Sequence, residues 1–222
     1  ELEKAVGRNG SAAKLQLAAV SLLQKTLKQH KRVIFQGDNY TTEWHKEAAR
    51  RGLPMMKDSV EAFPILTAKK NVDLFRKYGV LSKVELDSRS HITIEKFVKQ
   101  LVIEAETMVA LARTQVLPAA YKHQTMLAGT VAATEAAGGK AADAKATLDE
   151  FTTVMNRFRK ALGALEKASA HHLDDPMGHA RHIKDKVRPA MADMRVVIDQ
   201  LETHIEAGLW PLPTYREMLV LK

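Results

Sequence analysis

Residues 148–201 read LDEFTTVMNRFRKALGALEKASAHHLDDPMGHARHIKDKVRPAMADMRVVIDQL, and the spacing of their apolar side chains decides the fold. Leu148, Phe151, Met155, Phe158, Leu162 and Leu165 alternate steps of three and four residues. Ile183, Val187, Ala190, Met194, Val197 and Leu201 form a second such series. A helix of about 3.6 residues per turn puts each series on one face. Between them, Leu173-Asp174-Asp175-Pro176 carries turn chemistry, with Asp175 placed to cap a helix opening at Pro176. Two apolar faces joined by a short turn predict an antiparallel helical hairpin. Gly208 marks its expected end, and Trp210-Pro211-Leu212-Pro213 continues as an extended tail because the prolines forbid a helix.

Upstream, helical signals dominate again. Asn9-Gly10-Ser11 breaks an opening turn, and Ser11 is placed to cap a helix to about Lys31 with Leu15, Ala19, Leu22, Leu23 and Leu27 on one face. The stretch VIFQGDNY interrupts, with Gly37, Asp38 and Asn39 supplying a structural turn that ends at Tyr40. A short helix from Thr42 carries Trp44 and stops at Gly52, a left-handed C-terminal glycine. Asp58 with Glu61 forms a plausible capping box for the next helix, and Asn71 to Tyr78 continue helically to Gly79. Ser82 with Glu85 opens the longest helix, whose stripe is Ile94, Phe97, Leu101, Ala105, Met108 and Ala112. Pro118 removes a backbone donor and is expected to kink or split it. The pattern then runs to Gly138-Gly139, the best internal boundary. No strand pattern of any length appears. The expectation is an all-α, long-helix bundle with a C-terminal antiparallel helical hairpin, one domain made of two segments, residues 1–139 (with the kinked long helix) and 140–222 (hairpin and tail).

Bulk properties agree. Apolar residues make up 45% and charged residues 27%, ordinary for a folded domain, while aromatics are sparse at 5%. Cysteine is absent, which removes disulfides, thiolate metal sites and cysteine nucleophiles, and suits a reducing cytoplasm. No apolar run reaches the roughly 18 residues of a membrane span. The opening ELEKAV has no methionine and reads as a helix already under way, so a piece of a longer chain is expected. Residues 1–139 hold 21 Lys or Arg against 14 Asp or Glu, and the remainder 13 against 12. A basic half is compatible with polyanion binding, but the positives are scattered as on solvated helix faces.

The densest cluster of possible ligands is His171, His172, Asp174, Asp175, His179 and His182. His179 and His182, three apart, can share a helix face toward a metal; a solvated interhelical turn explains the same residues. Glu104 borders Leu101, Met108 and Leu111, where an acid pairs with a Lys or Arg or reaches out to solvent; a structural pairing, not a catalytic acid, is expected. Lys31-Arg32 near Gly37 lacks the repeated glycines of a phosphate loop and reads as a cationic helix terminus. Trp44, Trp210 and Tyr215 are amphipathic aromatics that suit interfaces, or burial within the chain. These residues alone support no catalytic mechanism.

The segment HKRVIFQGDNYTTEWHKEAARRGLP (residues 30–54) resembles a stretch near the C-terminus of type III glutamine synthetases. The resemblance continues through LFRKYGVLSKVEL (74–86), IEAETM (103–108), LPA (117–119), VRPAMADMR (187–195) and DQLE (199–202). It closes on LWPLPTYREML (209–219), with Trp210, Pro211, Pro213 and Tyr215 in register. It is specific in the first segment and the tail and thin between about 129 and 182, where the histidine cluster lies. It implies the helical C-terminal portion of a double-ring homo-oligomer making glutamine from glutamate and ammonia, with ATP and Mg²⁺ or Mn²⁺ in the parent enzyme. That family's catalytic carboxylates and phosphate-binding arginines lie upstream of the matched part, so no catalytic residue carries over. The expected role is a scaffold whose Trp44 and Trp210–Tyr215 tail dock onto the catalytic domain or a neighbouring subunit. The alternative is a free-standing basic helical module binding nucleic acid or a partner protein.

Overall fold

A computed structural model describes residues 1–7 and 11–219, except the side chains of Tyr215 and Arg216. The Asn9-Gly10 turn therefore lies outside the described residues. Among those described, every regular element is helical and none is a strand. No helix among them is long and apolar enough to cross a membrane.

The chain forms two compact units, Glu1–Asp58 and Ser59–Lys222. The first contains α1 (Leu2–Val6), α2 (Ala12–Gln29), a 3₁₀ turn (Lys31–Val33) and α3 (Thr42–Arg50). Ser11 caps α2, its hydroxyl accepting the Lys14 N–H at 3.4 Å. The leucine face of α2 is present at the expected spacing, yet Leu15, Leu23 and Leu27 are about half exposed and no residue of α2 is buried. Gly52 ends the turn after α3 with φ 65°, and the Leu53 N–H returns to the Ala48 carbonyl at 3.0 Å.

The second unit runs α4 (Ser59–Leu66), α5 (Lys69–Lys77), α6 (Lys83–Leu111), a π turn (Ala112–Val116), α7 (Leu117–Ala136), α8 (Ala142–Ser169), α9 (Pro176–His182), a second π turn (Ile183–Val187), α10 (Arg188–His204) and α11 (Tyr215–Leu219). Three rods result: α6–α7, α8 and α9–α10. Ser82 and Glu85 form the expected capping box at the head of α6, with bonds of 3.3 and 2.7 Å. Asp175 caps α9 as expected, accepting the N–H groups of Met177 and Gly178 at 3.3 and 2.7 Å. The contacts Glu150–His204, Arg157–Gln200 and Ala168–His182 step down one strand of numbering as they step up the other. That reversal establishes the antiparallel hairpin.

Phe151, Phe158 and Leu165 of α8 are fully buried against Met194 and Leu201 of α10 and Ile183. Ala105, Ala112 and Ala120, also fully buried, let the α6–α7 rod approach closely. Burying each large side chain contributes roughly 1.5–3 kcal/mol. The Gly138-Gly139 turn lies within this unit, since the helices on both sides of it feed one core. Gly138 has φ 79°, and a Cβ on Gly139 would sit 3.1 Å from the Thr134 methyl carbon. The C-terminal helix ends at His204, before Gly208, because Ile205 turns extended (ψ 138°) and buries its own side chain.

Pro118 is absorbed by a widened turn. The Leu117 N–H bonds back five residues to the Ala112 carbonyl, and the dihedrals on either side stay helical. A proline in a regular helix clashes with the carbonyl four residues earlier; the extra residue of a π turn moves that carbonyl aside. Pro189 repeats the arrangement, with Arg188 bonding to the Ile183 carbonyl.

Candidate functional site

In the first unit, the segment 30–54 folds into a knot around Trp44. The Asp38 carboxylate accepts the Tyr40 N–H at 2.9 Å, and the Asp38 carbonyl accepts the Thr41 hydroxyl at 3.0 Å. Thr41 then caps α3 through the Trp44 N–H at 3.4 Å. This folds the loop back so that Phe35 stacks on Trp44, ring centroids 4.2 Å apart. Gly37 is required by that approach: a Cβ there would meet the Phe35 ring at 2.8 Å. Arg51 lies 5.7 Å over the indole and donates to the Arg32 and Ile34 carbonyls at 3.2 and 2.8 Å. Glu47 accepts from both Arg50 and Arg51, and those hydrogen bonds, Arg50's first, lower its carboxyl to about 2. Trp44, offered by the sequence as a docking residue, is thus half-buried among partners of its own unit. Asn39 and Tyr40 are exposed, Tyr40 at 94%, so the loop uses Tyr40's backbone and leaves its ring outside.

The histidines gather at the corner between α8 and α9, but in pairs. His172 meets His179 edge-on at 4.9 Å, and His171 meets His182 at 4.7 Å. The His182 Nε2 faces the Ala168 carbonyl at 2.9 Å and must donate to it, so that nitrogen has no lone pair for a metal. His179 is buried; burial, then the neighbouring His172, His182 and His171, holds its imidazole below the ordinary value. Among the described residues, no three His, Asp or Glu side chains converge as a metal site. Glu104 is exposed, and its partner is the Gln100 amide at 3.1 Å, not the expected Lys or Arg.

The tail covers the end of the hairpin. Leu209, Trp210 and Leu212 pack on the core, while Pro211 and Pro213 face solvent. The Trp210 Nε1 is buried without an acceptor. Thr214 and Glu217 exchange capping bonds of 3.4 and 2.8 Å at α11; the Tyr215 side chain lies outside the described residues. The His123 Nδ1 accepts the Glu206 N–H at 3.4 Å, tying α7 to the start of the tail. Burial lowers the His123 imidazole, with Glu206 opposing and His204 adding to the effect.

Sequence reasoning missed these long-range ties. Arg113 in the first π turn forms a two-bond pair with Glu166 of α8, its Nη2 at 2.7 Å, which lowers the Glu166 carboxyl. Fifty-three residues separate the two, and no local spacing rule signals such a pair. The Phe35–Trp44–Arg51 stack was likewise unread, although an aromatic on each side of Gly37-Asp38-Asn39 was its available signal.

A family model for the glutamine synthetase C-terminal domain matches residues 18–135. The chain is 31% identical over 217 residues to a type-3 glutamine synthetase of Dictyostelium discoideum, covering 93% of this chain and 29% of that protein. It is 30% identical over 202 residues to a glutamine synthetase of Butyrivibrio fibrisolvens, covering 89% and 29%. A glutamine synthetase of Bacteroides fragilis (strain YCH46) is 27% identical over 213 residues, covering 92% and 29%. The chain therefore spans about 29% of the length of these curated relatives.

Proposed function

The chain belongs to the glutamine synthetase C-terminal domain family, and from that premise we propose that it is the non-catalytic helical scaffold of an ATP-dependent glutamate–ammonia ligase. The observation that carries this reading is how the family-like segment uses its chemistry. Trp44, Glu47, Arg50 and Arg51 are engaged by one another and by the Arg32 and Ile34 carbonyls, which closes a loop and leaves no set of reactive groups. ATP and Mg²⁺ or Mn²⁺ are assigned to the rest of the parent enzyme. Among the described residues no three His, Asp or Glu side chains converge to hold such an ion.

In this reading the chain serves the homo-oligomeric double ring in the cytoplasm by contact. Tyr40 and the Pro211–Pro213 tail are the exposed features placed to meet the catalytic domain or a neighbouring subunit, ordering active sites between subunits. Lys69, Lys83 and Lys99 each pair with an acid one helical turn away, as on solvated helix faces. The experiment is a glutamine-formation assay with ATP and Mg²⁺ on this polypeptide alone and on the full-length parent with and without it. Activity only when the remainder is present, and loss of ring assembly without this chain, is the expected result. Glutamine formed by this polypeptide alone would overturn the reading.

A further inference from the structure

We propose that the pocket beneath the C-terminal tail binds a small organic cation, an ammonium on a compact apolar body. The pocket holds about 240 Å³ and is built wholly within the second unit. Met108, Leu111, Val116 and Ile198 form its floor, and Trp210 and Leu212 its roof. One wall is the first π turn, where Ala112 presents no side chain bulk to fill the space. Such a lining favours an apolar body of limited size.

The polar groups specify the charge. Arg195, Asp199 and Glu202 lie at steps of four and three on α10, so all three border the same opening. Arg195 donates to Asp199 at 2.6 Å, and the two charges offset each other. Glu202 is half-buried, and among the described residues no side chain or backbone donor bonds to it. Its carboxylate borders the opening with no cation among the described residues bonded to it, so an entering ammonium can pair with it. Trp210 adds to the preference: an indole is the best aromatic neighbour for a cation. An anion would be repelled by the net charge of the opening, and a neutral ligand gains nothing from it.

The ammonium can belong to a free amine or to a lysine offered by a second copy of the chain. Calorimetric titration of the full chain with benzylamine, against benzyl alcohol as the neutral isostere, tests the shared chemistry. One saturable site is expected for benzylamine, weaker by at least about tenfold for benzyl alcohol and for benzylamine on Glu202→Gln, as loss of a charge-assisted bond implies. Leu111→Phe, which fills the floor and leaves every charge in place, is expected to abolish binding. Sedimentation of the same samples separates the sources: dissociation of oligomers by benzylamine assigns the lysine, and an unchanged state assigns a free amine. Absence of a saturable site, equal affinity for amine and alcohol, or an unaffected Glu202→Gln chain would overturn the proposal. None of these readouts depends on glutamine formation.

Discussion

At the scale of single residues, the two depressed imidazoles set a pH dependence with a definite sign. His123, half-buried, and His179, buried, each titrate below the ordinary value of 6.5 in the fold, chiefly through that loss of solvent. The unfolded chain therefore binds more protons as pH drops below 6.5, and stability falls until the folded-state values are passed. Urea midpoints measured from pH 7.5 to 5 should decline, and His179→Gln should flatten the decline. Glu47 acts in the opposite region. Its carboxyl, at about 2, contributes stability that is present above its ordinary 4.5 and is lost only as pH falls from there toward 2. A single transition centred near pH 4, with none near 6, would contradict the histidine assignment. The sequence displayed the histidines as a cluster, because adjacency in the chain is visible; it could not show that they divide into two pairs. Ring orientation is fixed by α8 and α9 packing, which no spacing rule encodes.

At the scale of elements, caps were the most legible feature, since Ser11, Ser82 with Glu85, Asp175, Gly52 and Gly79 each act within a few residues of themselves. The π turns were not legible, because a proline announces a disturbance without saying how the helix will accommodate it. A π turn carries one residue more than an α turn, and the helices on both sides are held by buried residues, Val98 and Ala105 before it and Ala119 and Ala120 after. Deleting exposed Thr114 should therefore restore a regular helix in register but drive Pro118 into the carbonyl ahead of it, costing about 3 kcal/mol. Combining that deletion with Pro118→Ala should recover more than half of the loss. Denaturation of the two single variants and the double variant measures the coupling; strict additivity would refute this account.

At the scale of the whole molecule, the stripes read from the sequence supply the core residues, and the all-helical class follows from them. The division at Asp58 was not legible, because it depends on which helices share a core and not on the local strength of a break. The buried cluster is drawn entirely from Val60 to Ile205. In the first unit, Ala48 is the one side chain buried among the described residues. Residues 59–222 produced alone should therefore unfold cooperatively with high helicity, whereas residues 1–58 alone should lose structure gradually. Circular dichroism during thermal unfolding decides it, and a cooperative transition in the shorter piece would count against this partition of stability.

The two prolines with their widened turns also bear on how the gene can vary. Gain or loss of a codon inside a helix ordinarily rotates everything downstream by about 100° and is purged. Within 112–116 and 183–187, one codon can vanish without disturbing the phase of the flanking helices, provided the proline codon changes with it. Related genes lacking these prolines are expected to align with single-residue gaps at those two places, inside helices, where alignment methods are least inclined to open them.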